Sequence, residues 1–548
     1  MRAGSPSKFG STGTPKPGPD QARTATDSPS PWPGRVERNA GWISLALVLV
    51  ATLRIASTYN VFNHTVDEMF HIACGVEWWS RGTYVEEAQH PPLQRILVGF
   101  GPWMAGARLM EEKRNLYDQG AYVLYSGEAY DRRLALARAG TLPLFWLSCA
   151  VVWLWCIRWL DRLTGVIAML LYTSIPAILA HAGLATTDMA LAAALPAALL
   201  AAVVLAESPT MRNGVLFGVA LALALLAKFS TLPFFPCALL AAGLFAWRRG
   251  LRPGALRPVL LPALAGLAVS GLLVWAAYRF SFSGIPAPEF FSGIGIVRAH
   301  NAEGHPSWLL GQFSRTGFWY YYPVALLFKT PAPLLVLIGA GVWMAWKKPD
   351  PRIWAPAAFV LGILGFAATS RINIGVRHVL PVYVLLAIVA AAAVRDLLRR
   401  LPSPPGLAAL ALVALSVAAP ALAHPDYLSY FNFLGGDNPE EVLVDSDLDW
   451  GQDMNRLSAR LRQLGARQVA FNPLVTGFWE EAHGFPKIVP LDPRGPRPGW
   501  NAVSLTMLKL TRMGTRETHP GMTIWTDRAK PVERVGRGIL LYYNPSPR

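Results

Sequence analysis

The sequence predicts a mainly α-helical, polytopic membrane protein with about eleven spans and a small α/β domain at its carboxyl end. The 548 residues are 53% hydrophobic and 15% charged, whereas a soluble protein carries roughly 25% charged residues. The apolar residues fall in blocks of about 17–25, the length that crosses a bilayer. After His424 the charged residues return and short alternating patterns replace the apolar blocks.

The predicted spans are the successive apolar blocks of a membrane module that extends over residues 41–424. They cover 41–60, 140–157, 165–181, 188–206, 214–228, 231–247, 258–278, 320–346, 353–370, 378–394 and 406–423. We expect the block 320–346 to be interrupted, with its true span beginning near Pro331. Residues 1–40 are rich in Pro, Gly, Ser and Thr and are predicted to form a disordered cytoplasmic tail.

Clusters of Lys and Arg predict the orientation. They concentrate in alternate connections, namely 158–164, 207–213, 248–257, 347–352 and 395–405. Basic connections stay in the cytoplasm, so the first outer loop (61–139), the second (279–319) and the end of the chain face outward. The same clustering accounts for the net charge of +16 and gives no reason to expect a nucleic-acid partner. The abundance of Ala, Arg and Pro favours a bacterial inner membrane.

Outside the spans, the pattern predicts a few shorter elements. In the first outer loop, 93–109 should form an interfacial or re-entrant helix, and 115–138 a helix on the membrane surface. In the outer domain, 425–548, we expect a strand at 441–444, a helix at 453–464 and a strand at 467–471. The acidic run 445–453 fits a turn after a strand better than a calcium loop, because its glycine falls one place late.

Two adjacent carboxylates, Asp67 and Glu68, follow the first span and are the first candidates for chemistry. On a helix, neighbouring side chains point about 100° apart, so the two residues can do different work. A carboxylate at the mouth of a membrane cavity can act as a general base. The alternative is a pair of solvated loop charges.

Histidines in the same loop suggest two further features. His64, Asp67 and His71 would share one helix face, a weak pattern for a metal site that leaves a divalent cation open as a cofactor. The alternative is a polar face lining a cavity. His90 precedes two prolines, which hold it on a rigid turn in the same loop.

Ionisable residues at the outer ends of spans form a further group: Asp188, Lys228, Lys329, Arg371, Arg377 and His378. Charged groups at membrane depth are costly and usually mark a ligand site. Several converging cations suit a phosphate group. The alternatives are snorkelling anchors for the cations and a helix cap for Asp188.

The order of these motifs resembles a known family. Asp-Glu after the first span, HPPL at 90–93 and TTD at 186–188 resemble protein O-mannosyltransferases and their bacterial relatives, family 39 glycosyltransferases of the GT-C fold. This group includes the lipid A aminoarabinose transferases. A bacterial branch is similar in GHPSWLLGQFSRTGFWYYYPVALLFKTPAP (304–333), INIGVRHVLP (372–381), HPDYLSYFNFLGG (424–436) and VDSDLDWGQD (444–453).

The resemblance implies a membrane glycosyltransferase that moves a sugar from a polyprenyl-phosphate donor to a hydroxyl acceptor. It implies that Asp67 is the base, that Glu68 orients the acceptor or the loop, and that His90 lies at the rim of the site. The chain has no domain inserted between spans such as the eukaryotic mannosyltransferases carry. The acceptor therefore stays open between protein, lipid and polysaccharide.

Two other functions compete with this interpretation. A transporter or flippase for a lipid-linked substrate would be expected to carry inverted repeats and paired broken helices, and the sequence has no internal repeat. A non-catalytic scaffold would present the 425–548 domain to a partner. No nucleotide-binding motif of the GxxxxGK[ST] or GxGxxG type accompanies the outward-facing residues.

Overall fold

The computed structural model describes residues 31–112, 115–250, 257–347, 351–492, 494–510 and 524–545. Most of the predicted tail, 1–30, and parts of two predicted inner loops, 251–256 and 348–350, lie outside these residues. The end of the predicted tail, 31–40, is not disordered but forms the first turns of a helix. Once the apolar segment behind it is helical, adding turns at its end costs little.

The described residues are mainly helical. Up to the fourth apolar block the helices are α1 (Pro31–Ala56), α2 (Glu68–Ser80), α3 (Leu93–Met104), α4 (Leu116–Tyr125), α5 (Tyr130–Ala139), α6 (Leu142–Trp159), α7 (Arg162–Tyr172), α8 (Pro176–Ala182) and α9 (Asp188–Glu207). The later ones are α10 (Met211–Ala227), α11 (Thr231–Arg248), α12 (Arg257–Ala277), α13 (Pro288–Glu303), α14 (Tyr321–Lys329), α15 (Ala332–Lys347), α16 (Pro351–Ala367), α17 (Pro381–Leu398), α18 (Pro404–Ala423), α19 (Met454–Gln463) and α20 (Trp479–His483).

The chain is a multi-pass membrane protein. Seven described helices are long and apolar enough to cross a membrane, and α7 with α8 raises this to eight if the bent pair is one span. The shorter apolar helices α10, α15 and α16 coincide with three further predicted blocks. Eleven spans therefore stay a prediction.

Two predicted spans contain breaks. The block 165–181 bends by 72° between α7 and α8, where Pro176 begins a new helix. Proline cannot donate the backbone hydrogen bond that a continuous helix needs at this point. The block 320–346 breaks before α15, near Pro331, as its prolines predict.

Helix α17 lies at the centre of the membrane module. Every residue from Pro381 to Val394 is buried. The helices α6, α7, α9, α15, α16 and α18 pack around it. The short helical turn 376–379 directly precedes α17 and is buried with it. This placement fixes the position of Arg377.

In the first outer loop, α2 and α3 approach each other at two glycines. A Cβ atom on Gly75 would lie 2.0 Å from the carbonyl oxygen of Arg95, and one on Gly99 would lie 2.2 Å from the backbone of Gly75. The prediction of one surface helix over 115–138 is wrong. The chain turns at Gly127, which has a positive φ of 70°, and α5 then leads into the span of α6.

The outer domain contains a five-stranded sheet, which agrees with the predicted α/β character. Its strands, with the hairpin β1 (Ser307–Leu309) and β2 (Gln312–Ser314) before it, are β3 (Gln468–Ala470), β4 (Lys487–Val489), β5 (Gly499–Ser504), β6 (Glu533–Val535) and β7 (Ile539–Asn544). The order is β4-β3-β5-β7-β6, with β3 parallel to both neighbours and the other pairs antiparallel.

The local predictions for the outer domain have different outcomes. The helix 453–464 and the strand 467–471 are confirmed by α19 and β3. The strand predicted at 441–444 is wrong, because this segment is an irregular link between two short helical turns, Pro439–Glu441 and Asp445–Asp447. Its carbonyl groups at Glu441 and Val442 accept hydrogen bonds from Gly311 and Leu310, in the β1–β2 hairpin, rather than from a strand of the sheet.

Candidate active site

Four predicted residues from distant parts of the sequence form one ion-pair cluster. A guanidinium nitrogen of Arg377 lies 2.8 Å from Oδ2 of Asp67 and 3.7 Å from Oδ2 of Asp188. The ammonium group of Lys228 lies 2.7 Å from Oδ1 of Asp188. Asp67 directly precedes α2, Asp188 begins α9, Lys228 follows α10 and Arg377 precedes α17. Helix ends thus bring the four charges together.

Arg377 is the most enclosed cation of the cluster. Its guanidinium lies 4.2 Å from the ring centre of Trp450, which covers one of its faces. Its Nε is buried and has no hydrogen-bond partner among the described residues. A buried donor without a partner is costly unless a ligand completes it. Arg377 is therefore placed to accept an anionic group.

Asp67 forms the open edge of the same cluster. Its side chain is 25% exposed, compared with 8% for Arg377 and none for Asp188. One of its oxygens accepts the hydrogen bond from Arg377. The carboxylate can therefore touch a substrate while it stays attached to the buried cations.

Asp188 holds the cations from the closed side. Its Oδ1 faces Lys228, and its Oδ2 accepts from the hydroxyl of Thr186 at 3.0 Å and faces Arg377. The imidazole of His181 lies 3.9 Å from the same carboxylate. Asp188 therefore positions both cations, and its buried carboxylate has no exposed surface for a ligand.

Glu68 is the opposite of its neighbour Asp67, because it is completely buried. Each of its oxygens accepts one hydrogen bond from Arg138, both of 2.8 Å. The backbone amides of Thr65 and Ala185 complete the shell. Burial alone would raise the pKa of Glu68, but Arg138 and the two amides hold it below its usual value. In this structure Glu68 fixes the outer loop to the bundle.

The loop that carries His90 is organised by Arg95, which the sequence interpretation did not select. The guanidinium donates to the hydroxyl of Tyr84 at 2.8 Å, to Nδ1 of His71 at 3.0 Å, and to Glu87. Burial by itself would raise the pKa of the Glu87 carboxyl. The positive charge of Arg95 outweighs this effect, and the pKa falls from 4.5 to about 2. The imidazole of His90 lies 3.1 Å from Glu87 and is one-quarter exposed.

Two predicted phosphate-binding cations are bonded to backbone carbonyl groups. Lys329 is buried and donates to the carbonyl oxygens of Leu428 and Asp447, which use two of its three N–H groups. Arg371 is exposed and donates to the carbonyl oxygen of Ala302 at 3.2 Å. Neither forms an ion pair with Asp67 or Asp188 among the described residues.

His378, the remaining predicted contact, follows Arg377 in the same turn. Its Nδ1 lies 3.4 Å from the hydroxyl of Tyr322. Burial, together with the nearby charges of Lys228 and Arg377, holds its pKa well below the usual value. A neutral imidazole at this position can accept or donate a hydrogen bond without adding charge.

The prediction that His64, Asp67 and His71 share a helix face is wrong. Helix α2 begins only at Glu68, so His64 lies before it. Both nitrogens of His64 have protein partners, the hydroxyl of Tyr130 at 2.8 Å and the carbonyl oxygen of Thr476 at 2.9 Å. Among the described residues, no group of three or more His, Cys, Asp or Glu is placed to hold a metal ion.

Sequence reasoning missed the residues that hold the site in place. Arg138, Arg95 and Trp450 contact predicted site residues, but each lies in a segment interpreted only as a helix or a turn. Arg95 was detectable as a charge inside an otherwise apolar helical stretch, where an arginine without a partner would be costly. Nothing in the local sequence identifies the partner, because Arg138 and Glu68 are 70 positions apart.

No family model and no curated relative matches the sequence. A solved structure of ArnT from Cupriavidus metallidurans bound to undecaprenyl phosphate matches with a TM-score of 0.50 and 14% identity, covering 93% of this chain and 99% of that one. The chain has the GT-C fold. The apo state of the same ArnT matches with a TM-score of 0.48 and 15% identity, over 91% of this chain and 98% of that one.

The match confirms the GT-C fold that the resemblance of the ordered motifs implied. Almost the whole of each chain is covered, so the likeness includes the outer domain as well as the membrane module. At 14% identity the likeness concerns the fold alone, and the residue roles rest on the geometry of the cluster.

Proposed function

We propose that the chain is a membrane glycosyltransferase that moves a sugar from a polyprenyl-phosphate donor to a hydroxyl acceptor on the outer face of the membrane. The observation that carries this proposal is the contact between the partly exposed Asp67 carboxylate and the enclosed Arg377, whose Nε has no hydrogen-bond partner among the described residues. Such a pair offers a base and an anion-binding group side by side. The match to ArnT with bound undecaprenyl phosphate supports the same class of donor.

In the proposed reaction Asp67 takes the proton from the acceptor hydroxyl. The oxygen attacks the anomeric carbon, and the bond from that carbon to the lipid phosphate breaks, with its electron pair going to the phosphate. Arg377 and Lys228 stabilise the negative charge that develops on the leaving group. Asp188 keeps these two cations in place, Glu68 holds the loop, and His90 and His378 line the rim.

The test is to purify the protein and incubate it with a panel of polyprenyl-phosphate sugars and candidate acceptors. Mass spectrometry then identifies which donor is consumed and where the sugar goes. Asp67→Asn should abolish transfer, whereas Glu128→Gln, an exposed carboxylate in the same outer loop, should not change it. A repeat with a chelator decides whether transfer needs a divalent cation.

The competing functions give different results in this experiment. A flippase would move labelled lipid across a liposome membrane without consuming the sugar. A scaffold would neither move nor consume it. Either result, or full transfer by Asp67→Asn, would contradict the proposal.

A further inference from the structure

Residues 446–452 of the outer domain contact both sides of the candidate site, and we call them the linking segment. On one side they meet the residues just before the proposed base. The side-chain amide of Asn63 donates to the carbonyl oxygen of Gly451 at 2.7 Å. The backbone amide of Val66 donates to the carbonyl oxygen of Trp450 at 3.3 Å. The linking segment therefore holds the start of the first outer loop.

On its other side the linking segment meets the backbone just before Arg377. The backbone amide of Val376 lies 3.1 and 3.2 Å from the two carboxylate oxygens of Asp447 and donates to them. The hydroxyl of Ser446 donates to the carbonyl oxygen of Ile374. Two neighbouring side chains thus hold the residues that lead directly into Arg377.

Gly375, between these two hydrogen bonds, shows how closely the two backbones approach. A Cβ atom at this position would lie 2.3 Å from the hydroxyl oxygen of Ser446 and 3.5 Å from a carboxylate oxygen of Asp447. The φ angle of Gly375 is +129°, a conformation that glycine adopts without steric cost. Because no space separates the turn from the linking segment, a shift of one moves the other.

The linking segment also contacts the side chain of Arg377. The ring centre of Trp450 lies 4.2 Å from the guanidinium. The backbone amide of Trp450 donates to the side-chain oxygen of Gln452 at 2.7 Å, and the side-chain amide of Gln452 donates to the carbonyl oxygen of Leu448 at 2.9 Å. The segment is therefore braced internally and constrains Arg377 at its backbone and at its guanidinium.

Asp447 is the residue on which the backbone contact depends. It is buried, and its carbonyl oxygen accepts a hydrogen bond from Lys329, which attaches its backbone to α14. Without the carboxylate, the buried amide of Val376 would lose its acceptor, so the turn would have to move to find another. A displacement of about 1 Å in a group that contacts substrate can lower a rate about 100-fold.

We propose that Asp447 is a positioning residue for Arg377, and that the linking segment thereby sets where the anion-binding group stands relative to Asp67. This inference deepens the proposed function and rests on it. Asp447 acts through Arg377 rather than on the donor, because both of its carboxylate oxygens face the amide of Val376. On this inference the outer domain is part of the donor site.

The experiment compares Asp447→Leu with Asp447→Asn. Undecaprenyl phosphate is the probe, and its Kd is measured by native mass spectrometry on the folded protein. Leucine is similar in size but offers no acceptor to the Val376 amide, so we expect the Kd to rise about 10-fold. Asparagine loses the charge but keeps one acceptor oxygen, and its Kd should stay within threefold of wild type.

A double-mutant cycle tests whether Asp447 acts through Arg377. In a protein that carries Arg377→Ala there is no guanidinium left to position, so adding Asp447→Leu should change the Kd less than twofold. Two effects that multiply as independent ones would overturn the inference.

Ser446→Ala is a milder second variant, since it removes only the hydrogen bond to Ile374. It should raise the Kd about threefold in the wild-type background and leave it unchanged beside Arg377→Ala. If Asp447→Leu does not fold, an unchanged Kd for Ser446→Ala in the wild-type background overturns the inference.

Asp453→Leu is the matched control. Asp453 is also buried and follows the linking segment directly, but its carboxylate accepts from the backbone amide of Arg537 at 3.1 Å and from Arg456 at 3.1 Å, within the outer domain. This variant should lower the melting temperature and leave the Kd of the folded protein unchanged. An equal rise in Kd would mean that any loosening of the outer domain weakens binding, and would overturn the specific role of Asp447.

The outcomes separate this inference from the proposed function. A wild-type protein that neither binds undecaprenyl phosphate nor consumes a donor overturns both. If the wild type binds the lipid and transfers sugar, but folded Asp447→Leu keeps its Kd within threefold, only the positioning role is overturned. An Asp447→Asn protein that binds as weakly as Asp447→Leu has the same consequence, because the retained acceptor oxygen should have preserved the turn.

Discussion

Asp67 and Glu68 are neighbours in the chain, and each pairs with an arginine, yet the two pairs are built in opposite ways. The Glu68–Arg138 pair is at most 1% exposed, uses both carboxylate oxygens, and is completed by two backbone amides. The Asp67–Arg377 pair uses one contact of 2.8 Å and leaves Asp67 25% exposed, and within the described part of the chain Nε of Arg377 has no hydrogen-bond partner. The first pair has no capacity left for a ligand, and the second has capacity on both sides.

A carboxylate–arginine pair at a membrane surface is therefore not in itself a sign of chemistry. Breaking a saturated buried pair removes stability, because it leaves an uncompensated charge in a low-dielectric interior. Breaking an open pair costs little stability but removes groups that a substrate needs. Substitutions in the two pairs should therefore separate activity from folding.

The largest effect should follow from Asp67→Asn. The amide cannot accept the hydroxyl proton, so we expect transfer to fall by about 10³-fold or more, as for loss of a general base. Expression and melting temperature should stay close to wild type, because the pair is partly exposed. Measuring both on the same purified sample is decisive. A folded Asp67→Asn protein with normal turnover would exclude this residue as the base.

Glu68→Gln should give the converse result. The buried guanidinium of Arg138 would lose its counter-ion, which typically costs about 3–5 kcal/mol. We expect a lower yield and a lower melting temperature in detergent, with turnover per folded molecule largely kept. If Glu68→Gln is as stable as wild type but inactive, Glu68 touches the substrate and the comparison between the pairs fails.

Arg377→Lys should have an intermediate effect. Lysine keeps the charge but loses the planar group that binds phosphate through two hydrogen bonds and stacks on Trp450. We expect the KM for the lipid donor and the Kd for undecaprenyl phosphate to rise about 10-fold. Arg371→Lys is the control, since Arg371 is exposed and its guanidinium donates to the backbone carbonyl oxygen of Ala302. Equal effects of both substitutions would mean that phosphate binding is not local to Arg377.

Most of the helices and several residues of the site could be predicted from the sequence, because a membrane restricts which residues can lie inside it. Apolar length located the helices, and the cost of charge at membrane depth selected Asp188, Lys228 and Arg377, which do meet in space. The same rule also selected Lys329, since a buried lysine bonded to two backbone carbonyls looks identical in sequence to one that awaits a phosphate.

The features that sequence could not give depend on contacts over long distances. Asp67 and Arg377 are 310 positions apart, and Glu68 and Arg138 are 70 apart, so no local pattern records which carboxylate is open. The segment 441–444 has the composition of a strand, but its carbonyls bond a hairpin more than a hundred positions earlier.

The smallest predicted effect concerns the contact between the first outer loop and the outer domain. This contact is made by His64, a few positions before Asp67 and Glu68. The ring of His64 stacks on Trp479 with centroids 5.4 Å apart, and both of its nitrogens are used by the protein. Burial lowers its pKa from 6.5 to about 4. The folded form therefore keeps His64 neutral, whereas an undocked or unfolded form takes up a proton below about pH 6.5.

Because the folded-state pKa is depressed, the stabilisation is present above about pH 6.5 and is lost progressively as the pH falls toward 4. At pH 5.5, one unit below the unfolded value, the loss should be about 1 kcal/mol. We expect limited proteolysis of the outer domain to accelerate over this range, and His64→Gln, which cannot titrate, to flatten that dependence. The Glu68–Arg138 pair should not contribute here, since the pKa of Glu68 lies below its usual value. A wild-type protein whose proteolysis is constant from pH 7 to 5 would show that this contact does not hold the domain in place.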